Sequence, residues 1–355
     1  MSFRSQIFLS VLLLGAACSS GGRKDSEVLP LPGMFVTPME VMQQLIQLSH
    51  DSLRGRLTGS PGARAAAGMI AWEMARLGLE PAGDSGYFQR VALYTITDTA
   101  GRLRMRIAPS WAALDSIKGA TRVWGVNVIG RLRGSDPSLG DEHILVDGHY
   151  DHIGATGAPG NSCRAVGADS ICNGADDDAS GIVATLKIAQ VITRDQRPRR
   201  MILFAAMTGE EGGLLGARWY VDHPALPLSS MVANLEIEMI GRPDSLAGGP
   251  GKAWLTGYER STMGDMLVAA GIPLVPDPRP DQQFFRRSDN YALARRGVVA
   301  HTLSSFNLHT DYHTPGDEAS RADALHMAQV IQAAARAVRL LADGPKPEWK
   351  PGGKP

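Results

Sequence analysis

The sequence has no net charge, few cysteines and none of the common nucleophile motifs. Its 36 basic and 36 acidic residues balance, so no electrostatic field attracts a polyanion, and nucleic acid is not an expected partner. The three cysteines lack the close spacing of a structural zinc site and have no catalytic context. A Gly-x-Ser-x-Gly elbow is also absent from the sequence. These absences exclude the main mechanisms in which a serine or cysteine attacks the substrate.

The length and composition favour one large domain. A chain of 355 residues with 44% apolar residues is ordinary for a protein with a large core. Chains that alternate strands and helices often exceed about 250 residues as a single unit, so the length does not require a second domain. No internal repeat divides the sequence.

The amino terminus is typical of an export signal. Arg4 precedes an apolar run over residues 7–17 that is too short to span a bilayer. The segment Leu14-Gly15-Ala16-Ala17-Cys18 resembles a bacterial lipoprotein signal, although Gly15 stands where leucine is preferred. We therefore predict a signal peptide over 1–17, lipidation of Cys18, and a flexible tether over 18–34. The protein is then exported and anchored to the bacterial cell envelope, and plain secretion is the alternative.

Cys163 and Cys172 are the two remaining cysteines. An oxidising compartment permits them to form a disulfide that closes a short loop before Asp177. The alternative is a pair of free thiols that do not meet.

The rest of the sequence alternates strand and helix patterns. Thr37 and Glu40 form a capping box around Pro38, which predicts a helix start, and Ser60 caps a second helix that ends near Leu77. Apolar runs predict strands, and longer amphipathic patterns predict helices. The predicted strands are 143–146, 201–206, 231–240, 253–256 and 298–303, and the predicted helices that follow are 180–193, 214–221, 260–270 and 321–341. The last residues, 344–355, are rich in Pro, Gly and Lys and are predicted to be disordered.

This alternation predicts an α/β fold. We expect one globular domain over 35–343, with a central mixed, largely parallel β-sheet flanked by helices on both faces. Ligands of such sheets bind beyond the carboxyl ends of the strands. His149, Glu210 and Glu238 each lie where a predicted strand ends.

Five short segments carry histidine, aspartate or glutamate in a pattern that suits a pair of metal ions. Two cations about 3.5 to 4 Å apart need a bridging anion, nitrogen and oxygen ligands, and an open position for substrate. Asp177 is the candidate bridge. The segments are Gly148-His149-Tyr150-Asp151-His152, Gly174-Ala175-Asp176-Asp177-Asp178-Ala179-Ser180-Gly181, Thr208-Gly209-Glu210-Glu211-Gly212, Glu236-Ile237-Glu238-Met239-Ile240-Gly241 and Asp311-Tyr312-His313-Thr314-Pro315.

In their order and residue types, these segments resemble the motifs of the dinuclear zinc aminopeptidase family. That family includes secreted bacterial aminopeptidases and glutamate carboxypeptidase II. The similarity extends from about Gly55-Arg56-Leu57-Thr58-Gly59-Ser60 to the last helix. It implies a zinc exopeptidase fold with two zinc ions per chain.

Residue by residue, the resemblance implies five metal ligands. His149 and Glu238 would bind one zinc, His313 and Glu211 the other, and Asp177 would bridge both. Many members of the family have Asp where this chain has Glu238.

The resemblance also implies two roles beside the ligands. Glu210 would be the general base that takes a proton from the bridging water and passes it to the leaving amine. Asp151 would orient His149 through the second ring nitrogen.

Several neighbouring residues keep alternative interpretations. Glu236 lies on the same side of its strand as Glu238, so the two could exchange roles. His152 and His309 lie near ligands but are expected to form hydrogen bonds rather than bind metal. Ser288-Asp289 resembles a family segment that helps to shape the substrate pocket.

The predicted function is an exported zinc exopeptidase that acts on peptides, and an aminopeptidase is preferred. A carboxypeptidase or dipeptidase on the same scaffold is one alternative, and a glutaminyl-cyclase-like enzyme with a single zinc is another. Receptors on this fold have lost their ligands, so a metal-free binding protein is the alternative outside enzymes. All five ligand positions are filled here, which favours the enzyme.

Overall fold

Two helices near the amino terminus begin at the residues that their caps predict. The computed structural model describes residues 35–355, and the predicted signal peptide, Cys18 and the tether lie outside these described residues. Helix α1 (Pro38–Leu48) starts with the complete Thr37–Glu40 capping box. Helix α2 (Pro61–Arg76) starts after Ser60, whose hydroxyl accepts a hydrogen bond from the backbone N–H of Ala63. These bonds satisfy amide groups that a helix start otherwise leaves unpaired.

Twelve strands and six further helices follow in the described part of the chain. The strands are β1 (Glu80–Pro81), β2 (Phe88–Arg90), β3 (Leu93–Thr97), β4 (Leu103–Ile107), β5 (Thr121–Val123), β6 (Val126–Leu132), β7 (His143–His149), β8 (Met201–Met207), β9 (Met231–Ile237), β10 (Ala253–Leu255), β11 (Leu274–Pro276) and β12 (Ala300–Ser304). The helices are α3 (Trp111–Ser116), α4 (Gly181–Arg194), α5 (Leu215–Asp222), α6 (Met263–Ala269), α7 (Asn290–Ala294) and α8 (Ala324–Asp343).

The strands form a large mixed sheet and a small separate one. The large sheet has the order β1-β6-β8-β7-β9-β12-β10-β11, and β2 also pairs with β6. At its centre, β8, β7, β9 and β12 are mutually parallel. The small sheet contains β4, β3 and β5, all antiparallel. The predicted fold class is therefore confirmed: helices flank a mixed sheet whose central strands are parallel.

Both faces of the large sheet are covered, because alternate side chains of each central strand enter different cores. Ile144 and Val146 of β7 pack in a core with residues of α1, α2, α4 and α8. Leu145, between them, packs in a second core with residues of α5 and α7. This double burial explains why these strands read as continuous apolar runs rather than alternating patterns.

The sequence patterns did not predict the strands between α2 and β7. Residues 88–132 form five strands, and β6 enters the large sheet antiparallel to β8. Strand β9 is also shorter than predicted, because the backbone N–H groups of Met239 and Ile240 bond to Asp178 and Ser180 instead of a neighbouring strand.

The carboxyl-terminal segment corrects a prediction. Residues 344–355 were expected to be disordered, but the structure packs them against the domain. The backbone of Trp349 forms an antiparallel β-bridge with that of Ser261. The indole nitrogen of Trp349 donates a hydrogen bond to the carbonyl of Gly297. The backbone N–H of Thr262 also donates to the carbonyl of Glu348, and the N–H of Glu348 donates to the hydroxyl of Thr262. The composition is typical of a disordered tail, but the contacts of the half-buried Trp349 ring and these hydrogen bonds hold the segment in place.

A disulfide joins Cys163 and Cys172 in the loop before Asp177. Both cysteines are fully buried beside Ile153. Among the helices of residues 35–355, none combines the length and apolarity needed to cross a lipid bilayer.

Candidate metal centre

The ends of three parallel strands bring the predicted ligands together. His149 is the last residue of β7, Glu210 and Glu211 follow β8 after a short turn, and Glu238 directly follows β9. Parallel strands end at the same edge of a sheet, so these side chains share one edge. Gly148 permits the side chain of Asp178 and the end of β9 to approach closely, because a Cβ at position 148 would lie 2.9 Å from both Asp178 Oδ2 and the carbonyl oxygen of Ile237.

Asp177 lies between two histidines. Its Oδ1 is 3.2 Å from Nε2 of His149, and its Oδ2 is 3.0 Å from Nε2 of His313. Each carboxylate oxygen therefore faces a different imidazole. This is the arrangement that a carboxylate bridging two cations requires.

The ligand atoms form two overlapping sets that share Asp177. One set contains His149, Asp177 and Glu238, and the other contains His152, Asp177, Glu211 and His313; within each, the ligand atoms lie within 4.8 Å of one another. In the second set, Glu211 Oε2 lies 3.2 Å from Nε2 of His313. All five residues predicted as ligands thus occur in these two sets, with His152 in addition.

Three consecutive aspartates have different partners. Asp178 accepts hydrogen bonds from the backbone N–H groups of His149 and Met239, which fixes the ends of β7 and β9. Asp176 accepts from the N–H of Gly241 and lies 2.9 Å from Nε2 of His309. The outer aspartates therefore hold the backbone and leave Asp177 free to face the histidines.

Asp317 holds the backbone of this turn from the other side. The N–H groups of Asp176 and Asp177 donate to its two carboxylate oxygens at 2.9 and 3.0 Å. Burial, together with the negative charge of Asp176, raises the pKa of Asp317 to about 6. The sequence alone did not reveal this role, although Asp317 lies four positions after His313.

A buried arginine connects the two loops that carry His149 and Asp177. Arg56 is 1% exposed. Its guanidinium donates to four main-chain carbonyl oxygens at 2.6–2.8 Å, those of Leu48, Tyr150, Asn173 and Gly174. The predicted motif around Gly55 contains Arg56, but its partners could not be found from the sequence because they lie up to 118 positions away.

The structure changes the predicted contact of Asp151. Its carboxylate lies 3.9 Å from Nδ1 of His149, beyond hydrogen-bond distance, while its main-chain oxygen lies at 3.2 Å. The carboxylate instead accepts from the hydroxyl of Thr58 and the backbone N–H of Glu210. Asp151 thus contacts the predicted ring nitrogen through its backbone, and its side chain positions the Glu210 turn.

Glu210 lies beside the metal-ligand cluster. Its Oε2 is 4.0 Å from Nε2 of His149. Burial, together with the negative charges of Glu211 and Glu238, holds the pKa of Glu210 well above its usual value. A raised carboxyl pKa is the property that a general base needs in order to accept and release a proton near neutral pH.

The cluster fits a pair of cations. Buried Nε2 atoms of His149 and His313 form no hydrogen bond of normal geometry within the described residues. Burial alone would lower the pKa of His313, but the proximity of Asp177 and Glu211 raises it to about 10. The surplus of negative charge therefore requires positive charge at the imidazoles. Divalent zinc supplies that charge and binds these nitrogen and oxygen donors.

Glu236 has a different environment from Glu238. Its carboxylate accepts hydrogen bonds from the hydroxyls of Ser288 and Thr302 and from the backbone N–H of Asn290. Burial, together with the charge of Glu238, raises its pKa to about 7. The structure therefore places Glu238, and not Glu236, among the candidate ligands. Ser288 supports Glu236 instead of forming the wall of an open pocket.

His309 forms the expected hydrogen bond, with Asp176, but His152 forms none of normal geometry within the described residues and lies in the second set of candidate ligands. Nδ1 of His152 lies 2.8 Å from Oε1 of Glu211 and 3.7 Å from Oδ2 of Asp177. His152 is thus close enough to Glu211 to fix its orientation. The sequence placed His152 near the candidate site but did not show that it lies beside Glu211.

Comparisons with known proteins agree with this geometry. The model of the family described as Peptidase family M28 matches residues 127–338. "Probable leucine aminopeptidase 2" of Aspergillus fumigatus is 29% identical over 179 residues, 49% of this chain and 32% of that protein. The chain therefore spans about a third of the length of this curated relative.

Solved structures share the fold at low sequence identity. An aminopeptidase from Aneurinibacillus sp. strain AM-1 has a TM-score of 0.62 at 15% identity, covering 88% of this chain and 96% of that chain. Glutaminyl cyclase of Porphyromonas gingivalis has a TM-score of 0.59 at 14% identity, covering 86% of this chain and 98% of that chain. At such identities the similarity establishes the fold alone.

Proposed function

Because the chain belongs to peptidase family M28, we propose that it is an exported zinc-dependent exopeptidase that removes residues from the amino terminus of peptides. The observation that carries this proposal is the position of Asp177, whose two oxygens face two different histidines. A relative described as a probable leucine aminopeptidase supports the direction of cleavage.

In this proposal, the two sets of ligands would hold two zinc ions. His149 and Glu238 would bind one ion, His313 and Glu211 would bind the other, and Asp177 would contribute to both. Bound zinc supplies a Lewis acid that polarises the scissile carbonyl and favours deprotonation of water. The hydrogen bonds of Asp178, Asp317 and Arg56 hold the backbone segments that carry the ligands in fixed relative positions.

Glu210 performs the proton transfer. Its carboxylate accepts a proton from the attacking water and then donates this proton to the leaving amine. The hydrogen bond from its backbone N–H to Asp151 at 3.1 Å fixes the turn that carries it. Because the side chain is largely buried, bulk water does not compete for the proton.

Two alternatives are distinguished by the ligand sets. A glutaminyl cyclase shares the fold, but a single-zinc site would not need candidate ligands on both sides of Asp177, and this chain has them. A metal-free binding protein would not need Glu210 beside two complete sets. A carboxypeptidase or dipeptidase uses the same metal chemistry and differs only in how the substrate is held.

The test combines metal analysis with one substitution. We expect two zinc ions per purified chain, and we expect Glu210→Gln to retain both while kcat falls by at least about a hundredfold, the scale of general base catalysis. Glu259→Gln, at a side chain that is 75% exposed, is the control and should leave kcat unchanged. Turnover that survives in Glu210→Gln, or a chain without bound metal, contradicts the proposal. Hydrolysis of free but not amino-blocked peptides distinguishes an aminopeptidase.

A further inference from the structure

A cleft opens beside Glu210 and Glu238. Beyond the metal-site carboxylates, one wall of the cleft is aromatic. Its aromatic residues are Trp254, Phe284, Phe306 and Tyr312.

The aromatic rings form a continuous series that ends at a candidate metal ligand. Phe284 lies 5.9 Å from Phe306, and Phe306 lies 5.2 Å from Tyr312, measured between ring centroids. Tyr312 stacks on His313 at 3.8 Å. A substrate group that lies along this wall is therefore held next to the reacting bond.

Among the described residues that line the cleft, Arg287 is the one cationic side chain. Its guanidinium carbon lies 4.9 Å from the centroid of Phe284, so three rings separate it from His313. Arg287 is exposed, and within residues 35–355 it forms no ion pair and no side-chain hydrogen bond. Arg242 and Arg279, by contrast, are each paired with a carboxylate, those of Asp311 and Asp244.

A second donor in the same cleft also lacks an acceptor. Trp254 is 2% exposed, and its buried Nε1–H has no hydrogen-bond partner within the described residues. Buried donors are normally paired, so an unpaired one beside an open cleft indicates a ligand that supplies the acceptor. An indole N–H and a guanidinium both require an acceptor, and neither would bind an ammonium group.

We propose that Arg287 binds a carboxylate group of the peptide substrate. This inference rests on the proposed peptidase function and specifies its substrate class. A guanidinium forms charge-assisted hydrogen bonds with a carboxylate, and its stacking on Phe284 orients it at the end of the aromatic wall. A substrate with an apolar body and a carboxylate can then contact the aromatic wall with its body and Arg287 with its carboxylate, while it also reaches the candidate metal centre.

The carboxylate can come from two parts of a peptide. In an aminopeptidase, the first side chain would enter the cleft, and the group would be that of an amino-terminal glutamate or aspartate. In a dipeptidase or carboxypeptidase, the group would be the terminal carboxylate of the last residue. The chemistry at Arg287 is the same, so matched peptides distinguish these sources.

The experiment uses two pairs of peptides that differ only in one carboxylate. Glu-Phe-amide and Gln-Phe-amide test the side chain, while Leu-Phe and Leu-Phe-amide test the terminal group. In one of the two pairs, we expect kcat/KM of the zinc-loaded enzyme to be about tenfold higher for the acid than for the amide, mainly because KM is lower. This is the scale of one charged pair in a partly exposed site. Arg287→Gln should bring that ratio to about one.

Arg286→Gln is the matched control. Arg286 is the adjacent exposed arginine and does not line the cleft, so its substitution should preserve the ratio. Equal kcat/KM within both pairs, or a preference that survives in Arg287→Gln, overturns the proposal.

Calorimetry separates this inference from the proposed function. The same peptides are titrated into Glu210→Gln and into the double variant Glu210→Gln/Arg287→Gln, where binding is measured without turnover. Tighter binding of one acid that is lost in the double variant supports Arg287 even if the enzyme cleaves none of these peptides. Identical dissociation constants for acid and amide refute the role of Arg287 and leave the peptidase proposal intact.

Discussion

Identical residues acquire different roles through the direction of the backbone. Asp176, Asp177 and Asp178 are adjacent in the sequence, yet only Asp177 faces both His149 and His313. The other two accept backbone N–H groups from the segment after β9. Two carboxylates of this turn thus hold the backbone after β9, and the third, that of Asp177, faces the candidate metal ligands.

Arg56 provides a prediction at this scale. Arg56→Lys retains the positive charge, but a single ammonium cannot reach four carbonyl oxygens placed for a planar guanidinium. Because buried acceptors then lose their donors, we expect the free energy of unfolding to fall by about 3 kcal/mol. Urea denaturation of the two proteins measures this difference.

The control lies in the same turn. Arg54 is exposed and makes no side-chain hydrogen bond within the described residues, so Arg54→Lys should stay within about 0.5 kcal/mol of the parent protein. Equal stability of Arg56→Lys and Arg54→Lys would show that Arg56 does not hold these loops.

The candidate site illustrates what a sequence can predict at the residue scale. The five proposed ligands are recognisable because each lies in a local motif, and the structure brings them together. Arg56 and Asp317 were missed because their partners are carbonyls and amides, which every residue possesses. Asp151 was predicted to orient His149 through the second ring nitrogen, and the structure shows that its main-chain oxygen is closer to that nitrogen than its carboxylate is; side-chain identity alone cannot make that distinction.

At the scale of elements, the central strands were more predictable than the edges. Strands β7, β8 and β9 are buried on both faces, so long apolar runs identify them, and their helices follow with clear periodicity. Apart from β6, the strands before β7 have five residues or fewer and are partly exposed, and the pairing of this region depends on partners far away in the chain. The sequence pattern therefore predicts where the site-bearing strands end but not which strands complete the sheet.

The carboxyl-terminal segment provides a prediction for an element. Trp349 packs near Phe285 and His301, with ring centroids 6.4 and 5.6 Å away, and donates to Gly297. Trp349→Ala removes this half-buried ring and its hydrogen bond, so the free energy of unfolding should fall by about 2 kcal/mol. Trp72→Ala, at a tryptophan that is 66% exposed, should change it by less than about 0.5 kcal/mol. If urea denaturation gives both variants the same stability, the segment does not support the domain.

At the scale of the whole molecule, all the proposed chemistry lies at one edge of the central sheet. The chain has no net charge, so the site must attract peptides by local contacts rather than by a long-range field. The cation at Arg287 and the acids around Asp177 supply such contacts. Substrate choice is therefore expected to depend on the cleft and not on the overall surface.

Membrane attachment is the last prediction. Twenty positions separate Cys18 from Pro38, where α1 begins. We predict that lipidation of Cys18 would attach the chain to a membrane through the segment that precedes α1. One acyl chain gives only marginal binding, but several on one cysteine give stable anchoring.

Cys18→Ala should therefore move the protein from the membrane fraction to the soluble fraction when it is expressed with its own leader. Ser19→Ala changes the next residue without removing the thiol, so it should remain with the membranes. Fractionation followed by a high-salt wash measures both variants, because salt removes proteins held by charge but not those held by acyl chains. A Cys18→Ala protein that stays with washed membranes would show that attachment comes from another part of the chain.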